Sequence, residues 1–598
     1  MGSYIPCYKK LVIWPSVNIL NDKILGIMKK SIICALAASA MFLTGCNDFL
    51  DMAPRDQFVN NPEFWNNTNN VQTYLNKCYV DFTGYGSGGG GGWSYFKSLG
   101  DDQANPEFDN WYFTSVPQNN SYWSASFTEV RRANYALKGL EGSTIASPEK
   151  ENYMGIARLY RAWEYWQLVR YFGDVQWQES VITNTEDPII YGKRTDRDIV
   201  VDNIITDLKY AIDNISADKA ANEFSKDLAR AIMSDVCLFE GTYCKYRTLD
   251  ENGKGPDLER SKKYLNLCVE VNRELKGKYS LSSNYGDVYN SIDLSTNSEV
   301  IFWRNYAKDI QGHSTVDYTT GSTAQRGVTK DAVDAFLFLD GKPLATTTMD
   351  KSDKVELKDG KLSIEKMLSQ RDKRLSVIID PYVGIKDYGY SRAPELGLAE
   401  MTSSTGYTIK KFYSDLLGDD ETAVYYRQNI GTAYTDAPIF WLAIIYLNDA
   451  EAKAELGTIT ITDLEETINP LLARGGVPGL TLTPAHDPAN NHGVSDLIWE
   501  IRRCRRCELM IDNWYRYWDM VRWHQLDKFD SEKYPNINRG ANLSGITWSG
   551  ETDGGYIVAT SAVRKFDKKY YFFPIPSEQI NNSNKETAQN PGWGDSKK

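Results

Sequence analysis

The chain has 598 residues and a formal net charge of −12 at neutral pH. This acidic balance argues against nucleic acid as a partner, because a nucleic-acid-binding surface needs an excess of Lys and Arg. The length allows a large core and more than one structural unit. Aromatic residues make up 13% of the chain. Their flat, amphipathic rings suit the binding of sugars or peptides, although most of them are expected to pack between helices.

Residues 28–51 have the order of a bacterial lipoprotein signal. Lys29 and Lys30 precede the apolar run 31–43, and small residues then lead to Cys46. The run is too short to span a bilayer comfortably, and this order is typical of a cleaved secretory signal. We expect Cys46 to be the first mature residue and to carry the lipid that anchors the chain to a membrane. The alternative is an ordinary cleaved signal in which the cysteine is incidental.

The rest of the chain is predicted to form one domain behind a leash. Residues 1–27 have the character of an over-extended gene start, because Met28 stands directly before the positive residues of the signal. Residues 1–45 carry five Lys and one Asp, a net charge of +4, which leaves −16 on residues 46–598. The predicted parts are a lipidated leash at 46–70, helical repeats at 71–278 and 436–530, a loop-rich insert at 279–435 and a C-terminal tail at 531–598.

Amphipathic helices dominate the first part. Apolar residues recur at helical spacing, for example Ile156, Leu159, Tyr160, Trp163 and Trp166, which predict one buried stripe. Successive helix pairs favour a solenoid of tetratricopeptide type, although no strict repeat consensus is present. The predicted helices cover residues 71–82, 123–140, 153–171, 199–215, 226–246 and 258–275.

A glycine-rich loop interrupts this part and is followed by aromatic residues without helical period. Residues 84–92 are nearly all glycine, and Trp93 and Tyr95 follow directly, with Trp111 and Tyr112 further on. Core aromatics are usually periodic, whereas aromatics in glycine-rich loops indicate a binding surface. The alternative, that these rings pack in the core, is about equally favoured.

In the insert the helical period fades into loops and short strands. Residues 299–303 predict a strand, 314–326 a Thr- and Gly-rich loop, and 351–363 a hairpin. Tyr306 and Tyr318 lie in or beside these loops. Long loops on a rigid frame commonly carry binding residues, so these two tyrosines join the candidate ligand contacts.

Helices return after the insert. Asp436 is expected to cap a buried helix that has Pro438 in its first turn and ends at Gly457. A second helix is predicted at 464–474, and a long helix at 495–523, whose Arg and Asp or Glu side chains lie at pairing distances.

The cysteines indicate no disulfide framework and no strong metal site. Cys504 and Cys507 form a CxxC, but a zinc site would need a second pair of ligands and the chain has only four histidines. We interpret both cysteines as small apolar residues of a helix. The Asp- and Asn-rich loops could hold a structural calcium ion, although none has EF-hand spacing.

Several short segments, taken in order along the chain, form a recognisable set. Besides the lipoprotein signal that ends at Cys46 they are Leu99–Asp102, Leu159–Ala162, Phe172–Asp174, Asp207–Leu208, Asn297–Phe302, Asp340–Gly341, Arg371–Arg374, Leu447–Ala452, Arg516–Trp523, Pro574–Pro576 and Gln589–Gly592. In their order and spacing these segments resemble the SusD/RagB family of outer-membrane lipoproteins from Bacteroidota. The chain departs from the family pattern at Cys504 and Asn513, where Glu is usual, and at Leu472, where Arg is expected, which puts particular ion pairs in doubt.

The resemblance implies a mainly α, tetratricopeptide-like scaffold with a loop-rich, short-strand face that binds ligand. It implies capture of an oligosaccharide at the cell surface and its delivery to a SusC-like TonB-dependent transporter in the outer membrane, with no cofactor. Some members bind peptides, and a pure scaffold of the transporter complex is a further alternative. Family ligand contacts lie in variable loops, so none can be carried over residue by residue.

From the residues themselves we predict a sugar-binding module. Sugar rings stack on Trp and Tyr, and neighbouring polar groups bind the hydroxyls. A glycoside hydrolase would need two carboxylates on opposite sides of a bond; Asp101 and Asp102 are adjacent in sequence and poorly suited to this, so we expect no enzymatic activity. The candidate contacts are Trp93, Tyr95, Trp111, Tyr112, Tyr306 and Tyr318.

Overall fold

A computed structural model describes residues 61–88, 90–91, 99–107, 109–183, 187–219, 222–248, 254–315, 324–414, 429–512 and 515–594. The chain divides into two compact units, Met1–Phe64 and Trp65–Lys598. Only residues 61–64 of the first unit are described, and every element named below belongs to the second.

The described chain is mainly helical, with 44% helix and 11% strand, which confirms the predicted fold class. The helices are α1 Thr68–Asn76, α2 Ser121–Glu141, α3 Glu149–Phe172, α4 Pro188–Tyr191, α5 Arg197–Asn214, α6 Lys226–Tyr246, α7 Leu258–Leu275, α8 Asp287–Asn290, α9 Lys330–Ala335, α10 Glu365–Leu368, α11 Arg374–Ile378, α12 Leu442–Leu456, α13 Ile461–Glu466, α14 Ile468–Arg474, α15 Asp496–Glu508, α16 Tyr515–Arg522 and α17 Ser577–Asn582.

The strands are short and form small sheets beside the helices. They are β1 Gly86–Ser87, β2 Gly90–Gly91, β3 Gln103–Ala104, β4 Val300–Arg304, β5 Ala324–Gln325, β6 Gly327–Val328, β7 Glu356–Lys358, β8 Lys361–Ser363, β9 Ile379–Val383, β10 Thr402–Ser403, β11 Tyr407–Ile409, β12 Ala437–Trp441, β13 Arg539–Asn542, β14 Thr552–Asp553 and β15 Tyr556–Val558. The largest sheet has the order β3-β6-β11-β9-β8-β7, and β4 pairs with β12 in an antiparallel ladder.

Local sequence signals explain the best-predicted helices. The hydroxyl of Ser225 accepts a hydrogen bond from the Leu228 amide at the start of α6, and the carboxylate of Asp257 accepts one from the Arg260 amide at the start of α7. Both residues are N-caps, which satisfy amides that have no partner within the helix. The predicted bounds 226–246 and 258–275 are confirmed.

The helices pack in succession around α3. This helix packs against α2 and α5, α6 packs against α7, and α12 lies against α7 and α15. The predicted stripe of α3 is confirmed at Leu159, Tyr160, Trp163 and Trp166, which are buried, whereas Ile156 is half-buried. Because α3 is buried on nearly all sides, it forms the centre of the scaffold.

Buried ion pairs join the helices to one another. Arg161 of α3 donates to both carboxylate oxygens of Asp207 of α5, at 2.7 and 2.9 Å. Arg522 of α16 donates to both oxygens of Glu451 of α12, at 2.8 and 2.7 Å. The carboxylate of each pair is almost fully buried, so each pair fixes the relative positions of two helices in a dry environment.

The predicted helix start at Asp436 was wrong. Residues 437–441 form strand β12, and helix α12 begins at Leu442, although its predicted end at Gly457, with φ +71°, is confirmed. The apolar run suits a buried strand as well as a buried helix, and pairing with β4 decides in favour of the strand. The carboxylate of Asp436 instead accepts hydrogen bonds from the amides of Tyr306 and Leu294, at 2.8 and 3.1 Å.

The predicted long helix at 495–523 is divided into α15 and α16. Ile511, between them, has a φ of +70°, which a helix does not allow. Asp512 there accepts a hydrogen bond from the buried ammonium group of Lys411 at 2.8 Å, and burying that cation without a counter-charge would be costly. The helix predicted at 464–474 is likewise two short helices, α13 and α14.

Within the described ranges, none of the helices combines the length and the apolar character that crossing a bilayer requires.

Candidate functional site

Hydrogen bonds join two of the predicted loop regions near the points where they begin. The amide of Gly88 donates to the carbonyl of Gly312 at 2.9 Å, and the hydroxyl of Tyr306 donates to the carbonyl of Gly86 at 2.6 Å. The backbone that leads to Trp93 and Tyr95 is therefore joined to the loop that precedes Tyr318. We call residues 85–88, 304–315 and 431–435 the loop frame.

The third segment of the loop frame was not predicted from the sequence. The amide of His313 donates to the carbonyl of Ala433 at 2.8 Å, and the amide of Ala433 donates back at 3.1 Å. A Cβ atom on Gly312 would lie 2.3 Å from the carbonyl oxygen of Gly431, so only glycine permits this approach. No local pattern marks residues 431–435, because the pairing is a long-range contact.

The buried imidazole of His313 crosslinks the loop frame. Its Nδ1 accepts a hydrogen bond from the Thr315 amide at 3.2 Å, so the proton must be on Nε2, which lies 2.9 Å from the carbonyl oxygen of Thr435. Burial lowers the pKa of His313 to about 3, and the ring is neutral at physiological pH. The loop frame is held here by a neutral group rather than by an ion pair.

A surface groove of about 460 Å³ lies beside the loop frame. Its lining mixes aromatic and aliphatic side chains with amides, which offer hydroxyl groups both donors and acceptors. The guanidinium group of Arg304 is held by the carbonyl of Thr83 at 3.3 Å. The side chains that define the groove include Asn76, Tyr79, Asn222, Trp303, Arg304 and Gln311.

Trp111 and Tyr112 lie away from the loop frame, against the C-terminal tail. Trp111 is 5% exposed, its ring stacks on Tyr570 at 4.2 Å between centroids, and its Nε1 donates to the Lys565 carbonyl. The half-buried Tyr112 packs edge-on against Tyr517 and accepts a hydrogen bond from the Leu99 amide at 3.1 Å. These contacts give both rings a packing role, and Trp111 has no open face for a sugar.

Tyr306 belongs to the loop frame but is 6% exposed. Its ring packs edge-on against His313 at 4.6 Å, so it supports the loops from beneath. Trp93, Tyr95, Tyr318 and the lipidation candidate Cys46 lie outside the described residues, and their roles stay predictions.

The adjacent carboxylates of Asp101 and Asp102, which were considered for hydrolysis, form ion pairs with arginines. Asp101 accepts two hydrogen bonds from Arg516, at 2.8 and 2.7 Å, and Asp102 accepts one from Arg506 at 2.9 Å. Both carboxylates are buried. Although burial opposes the charged form, Arg506 and Arg516 lower the pKa of Asp101. The pair therefore joins α15 and α16 to the segment before β3 and does not face a substrate.

The cysteines of the CxxC are buried and reduced. Burial raises the pKa of the Cys504 thiol to about 11 and that of Cys507 above its ordinary range. The Cys504 sulfur lies 3.9 Å from a guanidinium nitrogen of Arg374, where the family pattern has Glu. Across the described ranges, no group of three or more His, Cys, Asp or Glu side chains is arranged to hold a metal ion.

The described residues combine a helical scaffold with loops that backbone hydrogen bonds join into one frame. A sequence model of the SusD family matches residues 291–593, and one described as "Starch-binding associating with outer membrane" matches residues 48–238. The first match alone spans half of the chain, and the chain therefore belongs to the SusD family. Members of this family are carbohydrate-binding proteins and not enzymes.

Individual relatives are distant. A SusD-like protein of Bacteroides ovatus is 26% identical over 281 residues, 44% of this chain, and the match spans about half (47%) of that relative's length. A SusD-like carbohydrate-binding protein of Bacteroides fragilis has a TM-score of 0.63 at 21% identity, covering 87% of this chain and 99% of its own. A laminarin-binding SusD-like protein has a TM-score of 0.51 at 18% identity, covering 88% and 99%. At these identities the solved structures show the fold alone.

Proposed function

We propose that the protein is a cell-surface lipoprotein that captures an oligosaccharide on its loop face and passes it to a SusC-like transporter barrel. The observation that carries the ligand-binding half is the loop frame. It brings the backbone before Trp93 and Tyr95 to within one hydrogen bond of the backbone before Tyr318. Aromatic side chains on joined loops can contact one ligand together, which aromatics on separate surfaces cannot.

The groove beside the loop frame combines polar and apolar side chains, and a sugar needs both. Its amide side chains and the fixed guanidinium of Arg304 offer donors and acceptors, and sugar hydroxyls need both. Stacking on loop aromatics would supply the apolar contact. The family binds carbohydrates, and one structural neighbour is a laminarin-binding SusD-like protein, so β-glucans are the first ligands to test.

The membrane half of the proposal rests on the sequence. The lipobox that ends at Cys46 predicts a lipid anchor, and one family description includes association with the outer membrane. A lipid-anchored capture protein has no route for its ligand across the membrane by itself, so a transporter must take the ligand next.

Calorimetric titration with a panel of oligosaccharides, including laminarin fragments, tests the ligand-binding half. We expect Trp93→Ala, Tyr95→Ala and Tyr318→Ala each to weaken binding by roughly tenfold or more, because loss of one stacking contact removes about 1–3 kcal/mol. Tyr210→Ala is the matched control, because Tyr210 lies on α5 beside Arg158. Unchanged affinity in all three loop variants would reject this face.

Two further measurements separate the alternatives. Binding of peptides with no response to glycans would favour the peptide-binding alternative, and co-purification of a barrel with no small ligand would favour a pure scaffold. Cys46→Ala should abolish incorporation of labelled fatty acid and release the protein from membranes. Incorporation that persists in this variant would contradict the anchor.

A further inference from the structure

A second cavity, of about 330 Å³, lies inside the helical scaffold. Asp81 lines it, whereas its neighbours Tyr79 and Val80 line the groove beside the loop frame, so the two spaces lie on opposite sides of one turn. The remaining walls come from α2, α3, α6, β12, α15 and α16. Ser121 and Ala125 of α2 both line the cavity and are exposed, which places its mouth on the surface of α2.

The cavity has apolar walls and hydrogen-bond donors without partners. Trp163, Trp166 and Trp518 form much of the wall. Between two of these rings lies Arg170, with its guanidinium carbon 5.1 Å from the Trp166 centroid and 4.8 Å from the Trp518 centroid. Among the described residues, no hydrogen-bond partner reaches Nε of Arg170 or Nε2 of Gln167. Buried donors of this kind are costly unless something in the cavity accepts from them.

Acceptors face the same space. The carboxyl groups of Asp81, Glu164 and Asp235 all line the cavity, and burial raises the pKa of each. Asp235 already accepts hydrogen bonds from Asn448 at 2.7 Å and from Tyr515 at 2.9 Å. A carboxylate offers acceptors to a sugar hydroxyl, and the protonated form, which burial favours, offers a donor as well.

This mixture of groups narrows the class of ligand. An anion would meet the carboxyl groups of Asp81, Glu164, Asp235 and Asp519, and a cation would meet the guanidinium groups of Arg170, Arg505 and Arg522. A purely apolar molecule would leave the donors of Gln167 and Arg170 unpaired. A neutral polyhydroxy compound satisfies donors, acceptors and apolar walls together. The volume holds roughly ten water molecules, which is the space of one sugar ring with its hydroxyls.

We propose that this cavity is a second binding site, which takes a single neutral sugar ring within the helical scaffold. The site does not depend on the loop face, because it shares none of the candidate loop aromatics. It would let the protein bind a free monosaccharide independently of the longer glycan on the loops.

The test is titration of the mature chain with D-glucose, D-galactose, D-mannose, D-xylose and L-arabinose, followed by saturation-transfer NMR. We expect at least one to bind with a Kd below about 10 mM. Ala125→Trp should weaken it by roughly tenfold or more, because the new ring closes the mouth while remaining on an exposed helix surface. Lys138→Trp is the control, since Lys138 is exposed on the same helix but does not line the cavity.

A second variant tests the interior. Arg170→Met keeps an unbranched side chain between the two rings and removes the guanidinium group. The protein should fold with an unchanged circular dichroism spectrum and bind the monosaccharide more weakly by a similar factor. If this variant does not fold, Ala125→Trp alone decides. The proposal is overturned if none of the five sugars binds at about 50 mM, or if Ala125→Trp binds as the native chain does. Trp93→Ala distinguishes the sites, because it should spare monosaccharide binding while oligosaccharide binding falls.

Discussion

The helical scaffold and the loop frame are held together by different interactions. In the scaffold, charged groups are paired in a dry interior, as in Arg522 with Glu451 and Arg161 with Asp207. In the loop frame, backbone amides and carbonyls pair across three segments, and the buried ring of His313 is neutral. Buried charge pairs fix geometry but are severely disturbed when one partner is lost, whereas neutral hydrogen bonds are weaker singly. The scaffold therefore depends on strong buried charge pairs, and the described loop frame depends on neutral hydrogen bonds that are weaker singly.

The prediction with the largest expected effect concerns the buried ion pair of the helical scaffold. Glu451→Gln should lower the free energy of unfolding by about 3–5 kcal/mol, because it removes one of the two buried carboxylates that balance the charge of Arg522 and leaves only Asp519. The indole of Trp523 also donates to this carboxylate at 2.7 Å. Guanidinium denaturation followed by circular dichroism measures the change.

Glu532→Gln is the matched control, because the Glu532 pair with Lys565 is exposed and worth less than about 1 kcal/mol. If Glu451→Gln and Glu532→Gln destabilised the protein equally, the contrast between dry and solvated pairs would be wrong.

The second prediction concerns pH. Although burial opposes the charge, Arg522 lowers the pKa of Glu451 to about 2, so its contribution to stability is present above about pH 4.5 and is lost as the pH falls towards 2. His313 in the loop frame and Asp436, directly after its third segment, affect the stability of the frame with opposite signs. His313 has a pKa of about 3, below its free value, and favours opening as the pH falls from about 6.5. Burial raises the pKa of Asp436 to about 6, so its protonation favours the closed form between pH 6 and 3.8.

Hydrogen exchange of residues 304–315, corrected for intrinsic rates, can separate these two groups. The Asp436→Asn variant should leave only the effect of His313. The exchange rate that reports opening of the loop frame should then rise by up to about tenfold per pH unit below 6.5. His313→Gln should show the reverse, with opening that falls as the pH drops from 6 to 3.8. The same pH slope in both variants would contradict the assignment of opposite signs.

The third prediction tests the close approach within the loop frame. Gly312→Ala places a methyl group against the backbone of Gly431 and Thr432, and no side-chain rotation can relieve this contact. We expect a cost of about 1–3 kcal/mol, typical of overpacking, seen as weaker glycan binding and faster exchange at residues 85–88. Gly142→Ala is the control, because the nearest atom to its Cβ is 3.8 Å away. Equal behaviour of the two variants would show that the segments separate freely.

Much of the scaffold could be predicted because its signals are local. Ser225 and Asp257 cap their helices within three residues, so the start of each helix is visible in the sequence. The break between α15 and α16 has no such signal: Ile511 adopts φ +70° without a neighbouring Gly or Pro. The break is stabilised by the hydrogen bond that Lys411 donates to Asp512 from about a hundred residues away in the chain. A local sequence pattern cannot predict that contact.

The candidate site shows the same limit. Trp93 and Trp111 both follow non-helical, polar or glycine-rich sequence, and their surroundings in the chain look alike. Trp111 is buried because Tyr570 and the Lys565 carbonyl reach it from the C-terminal tail. Likewise, the joining of the first loop to Gly312 and Ala433 depends on backbone pairing over long distances. Aromatic composition therefore predicted a binding face, but not which rings have a free surface.

The prediction with the smallest expected effect asks whether Tyr306 stabilises the loop frame or contacts the ligand directly. Tyr306→Phe keeps the ring against His313 and removes the hydroxyl that donates to Gly86. The loss of one buried hydrogen bond costs about 1 kcal/mol, so amide exchange at residues 85–88 should rise roughly fivefold while the scaffold is unchanged. Tyr210→Phe on α5 should leave this exchange as it is. If Tyr306→Phe instead weakened glycan binding with no change in exchange, its hydroxyl would touch the ligand directly, and the division between a supporting frame and the binding loops above it would have to be redrawn.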